Sequence, residues 1–291
     1  MHSDEIGWIG TGVMGAPLCK HLINAGYQLN VYNRTPGKAQ KLINMGASWC
    51  GSSAEVAERS SIIFTMVGTP DEVRDVYFGE RGIVSTMHPE SVVVDLGTTP
   101  ASLTGGIWAT AVEHGCDFID APVTGGDVGA VEGELTIMAG GDEGIVEALR
   151  PLFDCFGSLN FMGPSGSGQN TKMCNQISVA GNIIGMCEAL LYAERSKLTA
   201  ERMLTIIQRG SAACWTLDYI APRIIDDDMN PGAMVDHFVK DLGIVLAECE
   251  IMNLRLPGTA LAHELFRRLQ SQGKGQLGVQ ALIQALREMN A

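Results

Sequence analysis

The stretch Ile6-Gly7-Trp8-Ile9-Gly10-Thr11-Gly12-Val13-Met14-Gly15 decides the fold. A short apolar run ends in the pattern G-x-G-x-x-G. A helix-length segment, Ala16–Ala25, follows, and then a second apolar run, Leu29-Asn30-Val31-Tyr32. Strand, glycine loop, helix and strand in that order form a βαβ unit carrying the dinucleotide fingerprint. Gly10 permits the tight turn, Gly12 lets a pyrophosphate approach the backbone, and Gly15 lets the helix pack closely on the strand. Thr11, Val13 and Met14 complete the loop, and the helix start offers N–H groups and a positive dipole end to phosphates. A glycine-rich turn that binds nothing is the plain alternative, and the flanking strand and helix argue against it.

Outward from this unit the alternation continues. Ile62-Ile63-Phe64-Thr65-Met66, Val92-Val93-Val94-Asp95, Phe118-Ile119-Asp120, Leu135-Thr136-Ile137-Met138 and Leu159-Asn160-Phe161-Met162 read as strands. Gly37–Met45 and Asp71–Tyr77 read as helices between the early ones. Alternation at this spacing predicts a mostly parallel sheet, and the nearly continuous apolar character of the early strands predicts helices on both faces. The texture changes at Gly163-Pro164-Ser165-Gly166-Ser167-Gly168, a cluster of breakers. Beyond it come a long proline-free stretch, Asn170–Lys197, and the helical patterns Thr199–Gly210, Val239–Met252, Leu261–Gln272 and Val279–Met289. The expected architecture is α/β. A Rossmann-type domain over residues 1–163 binds the cofactor, and a long helix links it to an all-helical domain over residues 164–291 for substrate and oligomerisation.

Composition narrows the function. Over 291 residues, 46% are hydrophobic and 18% charged, which suits folded cores. The net charge of −13 argues against a nucleic-acid partner, whose phosphates need clustered Lys and Arg. The acidic opening Met1-His2-Ser3-Asp4-Glu5 does not read as a signal peptide, and no run of about 18 apolar residues predicts a membrane span. Eight cysteines without a C-x-x-C pair read as free, buried thiols in a reducing cytoplasm, with no metal site.

The end of the second strand bears on cofactor choice. An NAD site carries Asp or Glu there for the ribose 2′-hydroxyl; this chain has Asn33-Arg34-Thr35. A guanidinium can make charge-assisted contacts with a 2′-phosphate that a carboxylate would repel. NADP(H) is therefore favoured over NAD(H), with a solvated surface arginine as the alternative. Val67 and Gly68 follow the next strand and Thr98 the one after. Ligands of open α/β sheets lie beyond such strand ends, so Val67 is expected on the adenosine or ribose and Thr98 on the nicotinamide ribose or amide.

Four segments then carry a resemblance. They are Ile9-Gly10-Thr11-Gly12-Val13-Met14-Gly15, Asp120-Ala121-Pro122-Val123-Thr124-Gly125-Gly126, Gly166-Ser167-Gly168-Gln169-Asn170-Thr171-Lys172-Met173-Cys174-Asn175-Gln176 and Lys240-Asp241-Leu242. In order and approximate spacing, across nearly the whole chain, the sequence resembles the β-hydroxyacid dehydrogenases. Members include 3-hydroxyisobutyrate dehydrogenases, tartronate semialdehyde (2-hydroxy-3-oxopropionate) reductases and succinic semialdehyde/glyoxylate reductases. The resemblance implies an oxidoreductase that moves a hydride between a nicotinamide and a small hydroxy acid or its aldehyde or keto acid.

The residues support that expectation on their own chemistry. Thr124-Gly125-Gly126 follows a strand as a turn whose N–H groups can form an anion nest for a substrate carboxylate. Lys172 sits in the opening turns of a helix, where the dipole disfavours a cation. Such placement in a closed cleft readies an amine for acid/base work. Asn175, three residues on, shares its helical face and can bind the same substrate. The resemblance implies that Lys240 lies near nicotinamide and substrate, with Asp241 positioning it. Trp215 and Phe238 are candidate apolar walls, although aromatics at such positions more often fill a core.

Two positions depart from the family's pattern. Cys174 replaces Asn, Ala or Leu and reads as a harmless buried thiol. Gly273-Lys274-Gly275-Gln276-Leu277-Gly278 lacks the Asp-x-Ser-Ala type of tail, which weakens any transfer of substrate identity. Among rival readings, an imine reductase usually lacks lysine at the position of Lys172. A 6-phosphogluconate dehydrogenase has a much longer helical part, and a non-catalytic NADPH sensor or recruitment module typically loses the lysine or gains domains. The apolar run around Ile177–Leu191 points to a homodimer or homotetramer.

Overall fold

The structure, a computed structural model, describes residues 5–290. Nine strands form one sheet: β1 Glu5–Ile9, β2 Gln28–Tyr32, β3 Ser48–Trp49, β4 Ile62–Thr65, β5 Val92–Asp95, β6 Asp117–Asp120, β7 Val123–Thr124, β8 Leu135–Gly140 and β9 Gly157–Gly163. The order β3-β2-β1-β4-β5-β6 is parallel throughout, as in dinucleotide-binding sheets. β8 then runs antiparallel to both β6 and β7, and β9 pairs parallel with β8. The order reverses between β1 and β4, so the crevice at that switch point lies beside Gly10 and Met66.

Period-two alternation sends strand side chains into two cores. Ile6, Trp8, Val31, Phe64, Val92 and Val94 face one, with Leu18, Leu22, Phe153 and Phe156 packed on them. Ile9, Ile63 and Val93 face the other, against Val56, Val73, Tyr77, Leu103 and Ile107. Helices therefore cover both faces, and the helix Ala101–Glu113 supplies the last two of these residues. β3 and β7, two residues each, are too short for a periodic signal. The helix Ser53–Arg59 did leave a trace in sequence, since Ser52 caps it by accepting from the Glu55 N–H.

The long helix runs Ser167–Ser196, and the chain divides into compact units between Lys172 and Met173, within this helix and after the glycine cluster. In the second unit Ala180, Ile183, Met186, Cys187 and Leu190 pack with Phe238, Leu242, Phe266, Leu282 and Ile283. The sequence holds no unbroken run of about 18 apolar residues, yet one helix is long and apolar enough to cross a membrane by length and composition alone. An 18-residue window within Ser167–Arg195 has mean hydropathy 1.2 and meets that criterion by length and composition. Its Ile, Val, Leu, Ala, Met and Cys raise the mean while Gly, Asn, Ser and Glu interrupt them, and Ala180, Ile183, Met186, Cys187 and Leu190 belong to the second unit's own core.

Candidate active site

At the glycine loop each glycine has a separate cause. Gly10 adopts φ +99°, and a Cβ there would overlap the Met66 carbonyl oxygen. At Gly15 a Cβ would overlap the Gly10 carbonyl oxygen, which also accepts the buried Trp8 Nε1–H at 3.0 Å. Gly12 is different: a Cβ would meet no protein atom within 4 Å. Nothing in the fold requires glycine at that position, so the space it keeps open suits a bound group. Thr11 adds a second sign, because its buried Oγ1 has no hydrogen-bond partner among the described residues. A dinucleotide pyrophosphate fits both features. Asn33 shapes the loop: its Oδ1 accepts from the Thr11 N–H at 2.9 Å and its Nδ2 donates to the Thr35 carbonyl at 2.9 Å.

Arg34 stands at the end of β2 with its side chain 79% exposed and pairs with Glu72 at 2.8 Å. Glu72 also accepts the Gly68 N–H at 2.9 Å, in the first turn of a helix that Thr69 caps. The Gly68 N–H is thus engaged by protein, while Val67 lies against Gly10.

A buried network joins the ends of β5 and β6 to the start of the long helix. Asp95, fully buried, accepts the Gly97 N–H at 3.0 Å and the Thr99 hydroxyl at 2.6 Å, and Thr65 Oγ1 lies 3.0 Å away. Asp120, also fully buried, accepts the Gly166 N–H at 2.7 Å and the Gln169 N–H at 2.8 Å. Burial pushes its carboxyl up to about 6, against the pull of those N–H groups. Gly168 fits here because a Cβ would overlap the Met138 and Asp120 carbonyl oxygens. Lys172 comes one turn later, 8% exposed, and its Nζ donates to the Val123 carbonyl at 2.7 Å. That carbonyl immediately precedes Thr124.

Thr124 closes β7, paired with Thr136 of β8, and was expected in a turn. Gly125 and Gly126 then take φ +129° and +68°, conformations that suit glycine, and Gly126 opens a helix to Glu132. All three are half-buried.

In the second unit, Asn175 Nδ2 donates to Gln176 Oε1 at 2.8 Å, Gln176 Nε2 donates to Asp241 Oδ2 at 2.6 Å, and Asp241 pairs with Lys240 at 2.9 Å. The structure therefore links Asn175 to Lys240 and Asp241 through Gln176, which sequence reasoning passed over although it stands in a quoted motif. Phe238 is not a wall there. It is buried edge-on against Phe266, ring centroids 4.9 Å apart, and fills the core. Trp215 is exposed and stacks on Tyr219 at 5.0 Å. Cys174, expected to be buried, is exposed. On the helix surface its neighbours at i+4 and i+7 or i+8 are Ser178, Gly181 and Asn182, which are exposed as well. The departing tail folds onto the start of helix Val235–Ile251: Gln276 donates to Asp236 at 2.7 Å, and Asp236 N–H to Gly275 at 2.9 Å.

A mostly parallel sheet in this strand order, with the glycine loop at its switch point, defines a dinucleotide-binding fold, and the family match makes the chain an NAD(P)-dependent oxidoreductase. Comparisons with known proteins agree. The model of the NAD-binding domain of 6-phosphogluconate dehydrogenase matches residues 5–171. That of the NAD-binding domain of NADP-dependent 3-hydroxyisobutyrate dehydrogenase matches residues 166–286. A probable 3-hydroxyisobutyrate dehydrogenase-like protein of Arabidopsis thaliana is 48% identical, over 98% of this chain and 86% of its own. The 2-hydroxy-3-oxopropionate reductase of Escherichia coli is 37% identical over 98% of each. The solved 3-hydroxyisobutyrate dehydrogenase of Mycobacterium tuberculosis, with L-serine, superposes with a TM-score of 0.89. It is 26% identical, covering 97% of this chain and 99% of that one. The chain belongs to the β-hydroxyacid dehydrogenase family, acting on the CH–OH group of hydroxy acids.

Proposed function

We propose that the protein interconverts a small hydroxy acid and its aldehyde or keto acid with NADP(H). The observation that carries this is the buried Lys172 amine, held on the carbonyl next to Thr124 at 2.7 Å. Thr124 Oγ1 and the N–H groups of Gly125 and Gly126 bind the substrate carboxylate. Lys172 Nζ gives its proton to the carbonyl oxygen in reduction and takes it back from the hydroxyl in oxidation. Within the second unit, Asn175 and the Lys240–Asp241 pair, joined through Gln176, are the groups we assign to substrate contact. Gly10 to Gly15 bind the pyrophosphate, Arg34 and Thr35 the 2′-phosphate, and Val67 and Thr98 the ribose and amide. When bound, the reduced nicotinamide supplies the hydride. NAD(H) stays in the test because Glu72 already pairs with Arg34 and would have to yield it to a 2′-phosphate.

The test is a panel of glyoxylate, succinic semialdehyde, tartronate semialdehyde and methylmalonate semialdehyde with NADPH and with NADH, followed by loss of reduced-cofactor absorbance. Turnover is expected with NADPH. Lys172→Ala should lower kcat by about 10²- to 10⁴-fold and spare NADPH binding. Tight NADPH binding without turnover on any acid would point to a sensor, and an active Lys172→Ala would remove the lysine from the chemistry.

A further inference from the structure

Gln169 has no part in the chemistry above, yet it is fully buried at the junction of two strand ends. Its Nε2 donates to the Gly97 carbonyl at 2.8 Å and its Oε1 accepts the Thr99 N–H at 3.0 Å. The amide orientation is unambiguous, since reversing it would set donor against donor and acceptor against acceptor. These two bonds straddle Thr98, the residue proposed to meet the nicotinamide ribose or amide. From below, Asp95 grips the same two residues through the Gly97 N–H and the Thr99 hydroxyl. The Gln169 main chain is fixed in turn, its N–H donating to Asp120 Oδ2. Lys172 follows three residues later, close to one helical turn, with its amine on Val123.

One side chain therefore connects the loop around Thr98 to the helical turn that presents Lys172. A solvated or merely space-filling residue would not need both ends of an amide matched to backbone groups. We propose that Gln169 is a positioning residue whose amide sets the separation between Thr98 and the Lys172 amine, and so between the bound nicotinamide and the proton donor. This rests on the reading of Lys172 as the acid/base group. The length and the donor–acceptor pair are both needed: Asn is one methylene too short to span the gap, Leu offers neither bond, and an ionised Glu offers an acceptor where Gly97 presents another. A protonated Glu regains one donor and one acceptor in nearly the same shape.

The experiment titrates NADPH into wild type, Gln169→Leu and Gln169→Glu at pH 5.5 and 8, follows bound-nucleotide fluorescence, and measures kcat on the best acid of the panel and the melting temperature. Gln169→Leu should fold, bind NADPH about tenfold more weakly and lose roughly 10²-fold in kcat. Gln169→Glu should match it at pH 8 and return toward wild type, measured at the same pH, at 5.5. A purely structural role would not produce that acid-side rescue. A folded Gln169→Leu with kcat and NADPH affinity within about twofold of wild type overturns the proposal. If that variant does not fold, a Glu-to-wild-type ratio that is flat between the two pH values overturns it instead. Lys172→Ala keeps the two ideas apart. Activity in Lys172→Ala defeats the acid/base reading, whereas an inactive Lys172→Ala beside wild-type-like Gln169 variants defeats positioning alone.

Discussion

A Cβ added at Gly12 would meet nothing of the protein within 4 Å, whereas one at Gly15 would overlap the Gly10 carbonyl oxygen beside the Trp8 indole. The same substitution should therefore act on different quantities at the two sites. Gly12→Ala should leave the melting temperature unchanged or slightly raised, since alanine reduces unfolded-state entropy by about 0.4–1 kcal/mol. It should also weaken NADPH binding by roughly tenfold or more, as a methyl enters the space for the pyrophosphate. Gly15→Ala should lower stability by about 1–3 kcal/mol, the range for overpacking, because main chain must move. A Gly12→Ala protein that binds NADPH as wild type does would show that the open space is not a phosphate cradle. The turn at Gly10 and the close approach at Gly15 were legible in the sequence because a fixed spacing between strand and helix encodes them. Asn33 was read with Arg34 and Thr35 only as a cofactor-binding residue lacking a carboxylate, and its amide also holds the loop, accepting from the Thr11 N–H and donating to the Thr35 carbonyl. That use depends on β1 lying beside β2, a pairing invisible at one position. Asp95, closing the apolar run Val92-Val93-Val94, was legible only as a strand end. Its partners Gly97 and Thr99 stand in the loop that directly follows it, and Thr65 comes from the neighbouring strand β4.

Elements that repeat a strong local period were recovered, and those shaped by neighbours were not. The long helix was read from Asn170, but it starts at Ser167, because the Asp120 carboxylate accepts the N–H groups of Gly166 and Gln169 from another strand. A cap supplied from another strand leaves no signature beside the helix it caps. It has a pH consequence with a definite sign. Burial raises the Asp120 carboxyl from 3.8 in the unfolded chain to about 6 in the folded one. The fold thus favours the protonated form, and the stability contributed by this group is fully present below pH 4 and lost as pH rises through 6. Asp120→Asn does not titrate. Between pH 4 and 7 the difference in unfolding free energy should move in the variant's favour by up to about 3 kcal/mol, read from denaturant melts of both proteins. Movement toward wild type over the same interval would mean that the two N–H groups outweigh burial.

At the scale of the whole chain, the division between compact units falls inside a single helix. Its opening supplies Gly168, Gln169 and Lys172 to the first unit, and its middle supplies Ala180, Ile183, Met186, Cys187 and Leu190 to the core of the second. Melting either unit alone would leave part of a 30-residue helix without the side chains that pack it. An isolated helical segment of that sort is marginal in water, because most helical stability in proteins comes from tertiary packing. The two units are therefore expected to unfold in one transition, even though the nucleotide loop belongs only to the first. NADPH at about one hundred times its Kd stabilises the state that binds it by about 2.7 kcal/mol. For a chain of this size each kcal/mol moves Tm by roughly 2 °C. Scanning calorimetry should show a single peak that moves up by about 5 °C with saturating NADPH. A second peak that stays in place as NADPH is added would show that the shared helix does not couple the units.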